Sequence, residues 1–114
     1  MHELSLAHSI LSIAERAVPL NKNVVVTGIS LQIGELSGIE TDALEFAFSI
    51  IKEGTLLKNA GLQIEMVKGE ALCLDCKHIF PLSQYGTSCP QCKSYSIEIR
   101  KSKEIKVLAL TVEE

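Results

Sequence analysis

The sequence predicts an α/β fold: two helices packed on a small mixed β-sheet, with a ribbon-like four-cysteine module inserted before the last strand. Three observations predict it. Apolar residues near the start recur at helical spacing. Three later runs alternate in the manner of half-buried strands. Between the second and last of these runs, cysteines fall in two Cys-x-x-Cys pairs, Cys73/Cys76 and Cys89/Cys92, with twelve residues between them.

Leu4, Ala7, Leu11, Ala14 and Val18 repeat at helical spacing, and Ile10 and Ala17 widen the stripe, so a helix is expected from Glu3 to Ala17 with Pro19 as its stop. Val24 to Val26 and then Ile29, Leu31 and Ile33 form a strand. The two sets are out of phase, which predicts a bulge at Thr27-Gly28. Gly34 and Gly38 bracket a loop. A second helix starts at Glu40 or Thr41 and runs through Leu44, Phe48 and Ile51 to Gly54, and 55–60 is expected to add a further turn or two of helix closed by Gly61. Leu62, Ile64 and Met66 alternate as a strand. Residues 71–94 hold all four cysteines and few apolar residues, so this stretch is expected to need a metal to fold. Ile97 and Ile99 mark a short strand. Glu104 to Val112 is a last strand that returns to the main sheet, since both of its faces are apolar. The expected division is an α/β domain of residues 1–70 plus 102–114 and a metal module of residues 71–101.

Composition narrows the function. With 11 Lys and Arg against 14 Asp and Glu, the chain carries −3, and no stripe of basic and aromatic residues offers a nucleic-acid surface. The charge-free run from Asn23 to Gly34 is too short and too polar to span a bilayer. The first twenty residues contain Glu3, Glu15 and Arg16 without a basic start, and do not read as a signal peptide. A cytoplasmic location is expected, and there paired thiols serve more often as metal ligands than as disulfides.

Two Cys-x-x-Cys turns complete a four-sulfur cage. Zn²⁺ takes such a cage tetrahedrally, and no position is left open for water, so the metal is expected to be structural. Four thiolates also suit rubredoxin-type iron. Reversible disulfide chemistry is the other rival, but the βαβ setting of a thioredoxin-like site is absent. His78, two residues after Cys76, is a fifth candidate ligand, a donor to a thiolate around the zinc, or an exposed loop residue. No Ser-His-Asp order, phosphate loop or His-Glu-x-x-His occurs, and the carboxylates Glu35, Glu40, Asp42 and Glu45 read as a solvated face with two acids suited to a helix start. An enzyme is not expected.

The start, Met1-His2-Glu3, is a second metal-binding pattern. An α-amine, a deprotonated amide and the imidazole of residue 2 close small chelate rings in one plane, and square-planar nitrogen donors suit Ni(II) or Cu(II). The same Glu3 is equally an ordinary first-turn acid, and His8 lies beyond this turn.

Taken together, Met1-His2-Glu3-Leu4-Ser5-Leu6-Ala7, Ile33-Gly34-Glu35-Leu36-Ser37, Leu44-Glu45-Phe46-Ala47-Phe48 and the two cysteine pairs resemble the HypA family over the whole chain. The resemblance implies a nickel metallochaperone of [NiFe]-hydrogenase maturation. It implies nickel on Met1, His2 and Glu3, and zinc on Cys73, Cys76, Cys89 and Cys92. It implies a nickel-binding α/β domain beside a zinc domain, with a HypB-type GTPase and the [NiFe]-hydrogenase large subunit as partners. Urease maturation proteins are a further partner class, and a short domain with an exposed edge strand is compatible with a homodimer. The chain departs from many relatives in having His78 as its single histidine near the cysteines, and in reading Lys101-Ser102-Lys103-Glu104-Ile105 where relatives often have Gly-x-Glu-Leu.

Overall fold

The computed structural model describes residues 2–18 and 24–113. In chain order it contains α1 (Glu3–Ala17), β1 (Val25–Gly34), α2 (Thr41–Ile51), β2 (Gly61–Val67), β3 (Glu70–Cys73), β4 (Ile79–Pro81), β5 (Ile97–Lys101) and β6 (Ile105–Glu113). One three-stranded sheet has the order β2-β1-β6 and the other β4-β3-β5. The chain divides into two compact units. One comprises 1–31, 39–65 and 106–114, and the other comprises 32–38 and 66–105.

In the first unit α1 packs against α2. The face of α1 that is buried is Leu6, Ala7, Ile10 and Ala14. The expected stripe is therefore displaced: Leu4 and Ala17 are exposed and Leu11 is half-buried. The apolar arc of this helix is wider than the face the core covers. The alanines at 7 and 14, both fully buried, let a neighbouring backbone come close. Pro19, the expected stop, lies outside the described residues, and Val18 already leaves helical geometry. On α2, Leu44, Ala47 and Phe48 are buried. Each large apolar side chain fully removed from water contributes about 1.5–3 kcal/mol.

Residues 55–60 form turns rather than the expected extra helix. Lys58 and Ala60 donate to Thr55 and Leu57 in three-residue steps, and the Thr55 hydroxyl is bonded to Lys52 C=O and Leu57 N–H. Gly61 opens β2 and does not cap a helix. Along β1 the burial alternation changes phase between Val26 and Ile29, where the sequence places its irregularity. The directions in this sheet are mixed. Gly34 and Thr27 bond to the carbonyls of Glu104 and Thr111, so β6 runs antiparallel to β1. Gly28 and Glu35 lie against Gly61 and Val67, so β2 runs parallel to it.

The second unit contains a hairpin that the sequence reading leaves as loop. β3 pairs antiparallel with β4, Ala71 opposite Phe80, and antiparallel with β5, with an irregularity at Glu70/Ala71. Its core is Leu36, Ala71, Cys73, Phe80, Leu82 and Cys89, with Cys76, Ile97 and Ile99 packed on it. The cysteine region thus builds its core partly from thiols and partly from Leu36.

Three stretches of backbone are stitched together within this unit. Leu36 N–H donates to Ser102 C=O at 2.8 Å and Glu35 N–H to Val67 C=O at 2.9 Å. The buried Ser102 hydroxyl donates to Val67 C=O. The Glu35 carboxylate accepts Gly69 N–H at 3.1 Å. Two glycines permit the close approach: a Cβ on Gly34 would lie 2.1 Å from Ser102 O, and one on Gly69 would lie 1.9 Å from Leu82 O. Both oxygens belong to the main chain and cannot swing away. Gly34→Ala and Gly69→Ala should each destabilise the protein by at least about 1–3 kcal/mol. Gly61→Ala, where an added Cβ meets nothing within 4 Å, should stay within about 0.5 kcal/mol. Urea unfolding of the metal-loaded proteins checks the contrast, and equal effects at all three positions would refute it.

Candidate metal centre

The first cysteine pair spans the end of β3 and the turn after it; the second lies in the turn before β5. Both turns use the same device. Lys77 N–H donates to Cys73 C=O and Lys93 N–H to Cys89 C=O, each at 2.9 Å. Lys77 and Lys93 take the left-handed backbone, φ 65° and 67°. In each turn the sulfur of the first cysteine accepts a backbone N–H. Cys76 donates to Cys73 Sγ at 3.5 Å and Gln91 to Cys89 Sγ at 3.4 Å.

The four sulfurs lie within 4.8 Å of one another. Cys73 Sγ and Cys92 Sγ are 3.5 Å apart, and Cys76 Sγ and Cys89 Sγ 3.6 Å. A tetrahedral zinc with bonds of about 2.3 Å sets its sulfurs roughly 3.8 Å apart, so the cluster fits that ion with little adjustment. Cys73 and Cys89 are fully buried, Cys76 is half-buried and Cys92 is exposed.

The surroundings divide the thiols electrostatically. The His78 N–H favours ionisation of Cys76, but burial and hydrogen bonds with Cys89, Cys92 and Cys73 outweigh it and push Cys76 up to about 12. At Cys89 burial opposes ionisation. The N–H groups of Cys92 and Gln91, with the Cys76 and Cys92 thiols, prevail and bring it down to about 7.

His78 meets this cluster through its main chain. Its N–H is bonded to Cys76 and its C=O accepts Cys73 N–H, while the imidazole stacks on Phe80 with centroids 6.1 Å apart.

At the other candidate site Met1 lies outside the described residues. His2 is exposed, has extended backbone (φ −81°, ψ 149°) and precedes the first residue of α1 without a side-chain capping bond. Its C=O accepts Leu6 N–H. The Glu3 carboxylate accepts the Glu40 N–H at 3.1 Å, a link the sequence does not reveal. That bond, joined by one from the Glu3 N–H itself, holds the carboxyl below its ordinary value. His8 is exposed on α1. Of the expected carboxylate group, Glu40 and Asp42 stand at the start of α2, while Glu35 is bonded to Gly69. Sequence reading also misses the bond from Ser94 to Asp75, because it joins residues from different cysteine pairs. Among the described residues no helix is long and apolar enough to cross a membrane.

Residues 1–112 match the family described as "Hydrogenase/urease nickel incorporation, metallochaperone, hypA". The hydrogenase maturation factor HypA of Legionella pneumophila (strain Corby) is 39% identical over 113 residues, covering 99% of this chain and 100% of that protein. The factor of the same name from Parabacteroides distasonis is 38% identical over 112 residues, covering 98% and 97%. The solution structure of the Ni metallochaperone HypA from Helicobacter pylori superposes with a TM-score of 0.64 at 29% identity, covering 96% of each chain. A second solution structure of a HypA protein superposes with a TM-score of 0.65, also at 29% identity, over 95% of this chain and 92% of that one. The chain belongs to the HypA family, the metallochaperones of nickel incorporation in hydrogenase maturation.

Proposed function

We propose that this chain binds Ni(II) at its N-terminus, on Met1, His2 and Glu3, and delivers it for [NiFe]-hydrogenase maturation, while Cys73, Cys76, Cys89 and Cys92 hold a structural Zn²⁺. The observation that carries this reading is the family match over 1–112 in a chain that opens Met1-His2-Glu3 directly at a helix start. The α/β domain of 1–70 plus 102–114 is then the nickel carrier, and 71–101 the zinc module.

The chemistry of a helix start supports the reading. The first N–H groups of an α-helix have no acceptor within it, so the amides of His2 and Glu3 can turn to a metal without breaking a helical bond. The imidazole of His2 is not used as a cap and is open to solvent. The Glu3 carboxylate accepts the N–H groups of Glu40 and of Glu3 itself, so either Glu3 donor gives up such a bond on reaching the metal. A cargo site on a terminus can exchange its ligands with a partner without opening the core. The four-cysteine cage has no free position, so it supplies stability and not transfer.

The protein acts as a carrier without turnover in the cytoplasm. A HypB-type GTPase and the hydrogenase large subunit are the partners this role requires. Urease maturation proteins are further clients suggested by the family description, and a homodimer is the self-association this reading allows.

His2→Ala should weaken nickel binding at least roughly 100-fold, about 2.7 kcal/mol, while one zinc per chain and the fold remain. Nickel titration of untagged protein beside metal analysis checks this, and undiminished nickel affinity would sink the N-terminal site. One residue added before Met1 converts the amine to an amide and should weaken nickel binding without altering the helix; unchanged affinity would remove the amine from the ligand set. Glu3 should titrate below the ordinary glutamate range in a carbon-13 NMR titration, because its carboxylate accepts Glu40 N–H. Because its folded value is depressed, the link to Glu40 stabilises above the unfolded value and is lost as pH falls through the folded one. A Glu3 that titrates like an unperturbed glutamate, or above it, would contradict the link.

A further inference from the structure

The two cysteine turns are related by an internal pseudo-twofold correspondence. Cys73 answers to Cys89, Cys76 to Cys92, Lys77 to Lys93 and His78 to Ser94. The main-chain bonds repeat under this exchange. Cys73 N–H donates to His78 C=O at 2.9 Å and Cys89 N–H to Ser94 C=O at 2.8 Å. The N–H of His78 is bonded to Cys76, and that of Ser94 to Cys92.

The correspondence does not extend to the N–H on the first sulfur, which comes from Cys76 in one turn and Gln91 in the other, nor to one pair of side chains. Asp75, inside the first turn, accepts the hydroxyl of Ser94, just beyond the second. Under the exchange, Asp75 becomes Gln91 and Ser94 becomes His78. His78 turns its ring onto Phe80, and Gln91 is exposed. Ser94 is also fixed from its own side, since its hydroxyl accepts Ser96 N–H at 3.0 Å. Ser96 C=O in turn accepts Leu74 N–H from the first turn at 2.8 Å. The segment 94–96 therefore straps the first turn to the second on one side of the cage.

We propose that Asp75 and Ser94 form a latch that sets how tightly the cage retains its metal, acting as positioning residues rather than ligands. This rests on the zinc reading above. Without the latch, the two sulfur pairs are joined by the metal, by the strap of main chain, and by the β3–β5 pairing and shared core at the buried side, so the exposed side loses its side-chain tie. The pairs can then separate there when Cys92, the exposed corner, lets go. Partners that hold metal ligands in place typically change metal affinity by about 10–100-fold.

The test is zinc release from the full-length, zinc-loaded chain into excess chelator, followed with a zinc-sensitive dye. Asp75→Ala and Ser94→Ala should each speed release about 10-fold or more, and the double variant should be no faster than the singles, as for two halves of one contact. Ser94→Thr keeps the hydroxyl and Asp75→Asn keeps an acceptor without the charge; both should stay near wild type. Gln91→Ala, at the corresponding unlatched position, removes only an exposed side chain and keeps the main-chain N–H on Cys89 Sγ, so it should release at the wild-type rate. The Co²⁺-loaded variants should retain tetrahedral thiolate absorption, showing that the ligands themselves are intact. The latch is refuted if Ser94→Ala releases zinc at the wild-type rate, if the two alanine effects add, or if Gln91→Ala is as fast as Asp75→Ala. If Asp75→Asn alone matches Asp75→Ala, charge and not the bond is at work, and the latch again fails. A wild-type chain that takes neither zinc nor tetrahedral Co²⁺ would overturn the zinc reading and the latch with it, an outcome distinct from all the others.

Discussion

Four sulfurs gathered within 4.8 Å impose a requirement that the rest of the second unit serves. Four thiolates that close repel one another, and four thiols waste a binding site of high affinity. A doubly charged, tetrahedral ion resolves both problems. The backbone is arranged for that outcome: N–H groups point at the sulfurs, two left-handed lysines turn the chain, and two of the cysteines take places in the apolar core. The metal centre and the core of this unit are thus one object. A cysteine here is at once ligand and packing residue.

Within the same unit, three separate stretches of chain are tied by backbone rather than by large side chains. Segments 34–36, 67–69 and 102–104 lie in hydrogen-bonding contact. Ser102 adopts φ 94° to make its bonds, a conformation that L residues seldom take, and it is buried while doing so. A strained, buried residue persists where its surroundings determine its conformation. The glycines at 34 and 69 meet the same demand by having no side chain. The nickel site proposed at Met1, His2 and Glu3 draws on none of these bonds. It is the opening of α1, held by one bond from Glu3 to the start of α2. On that proposal, a retained metal and a transferred one call for opposite surroundings, one enclosed by the core and the other exposed at a helix start.

Much of this was legible in the residues. Helical spacing located α1 and α2, and the phase change between Val26 and Ile29 was visible because valine and isoleucine mark the buried face. Cysteine spacing located the cage, since two tight turns leave few other uses for four thiols. What was not legible has physical causes. Helical spacing in 3–17 admits more than one buried face, and only packing selects Leu6 and Ile10 over Leu4. The β3–β4 hairpin is short, and half of its apolar partners are cysteines or lie elsewhere in the chain, as Leu36 does. The links from Glu3 to Glu40 and from Asp75 to Ser94 join residues distant in sequence through a single polar contact, which leaves no periodic trace.

The aromatic residues give the molecule an optical asymmetry. The chain has two tyrosines and no tryptophan, and both tyrosines belong to the unit that contains the cysteines. Both are exposed, Tyr85 at 61% and Tyr95 at 73%, and Tyr85 donates its hydroxyl to Leu36 C=O at 2.8 Å. The two α-helices belong to the other unit. The summed tyrosine fluorescence therefore follows one unit, while helical circular dichroism follows the other. The two halves of this small carrier can be watched separately in one cuvette, without a label.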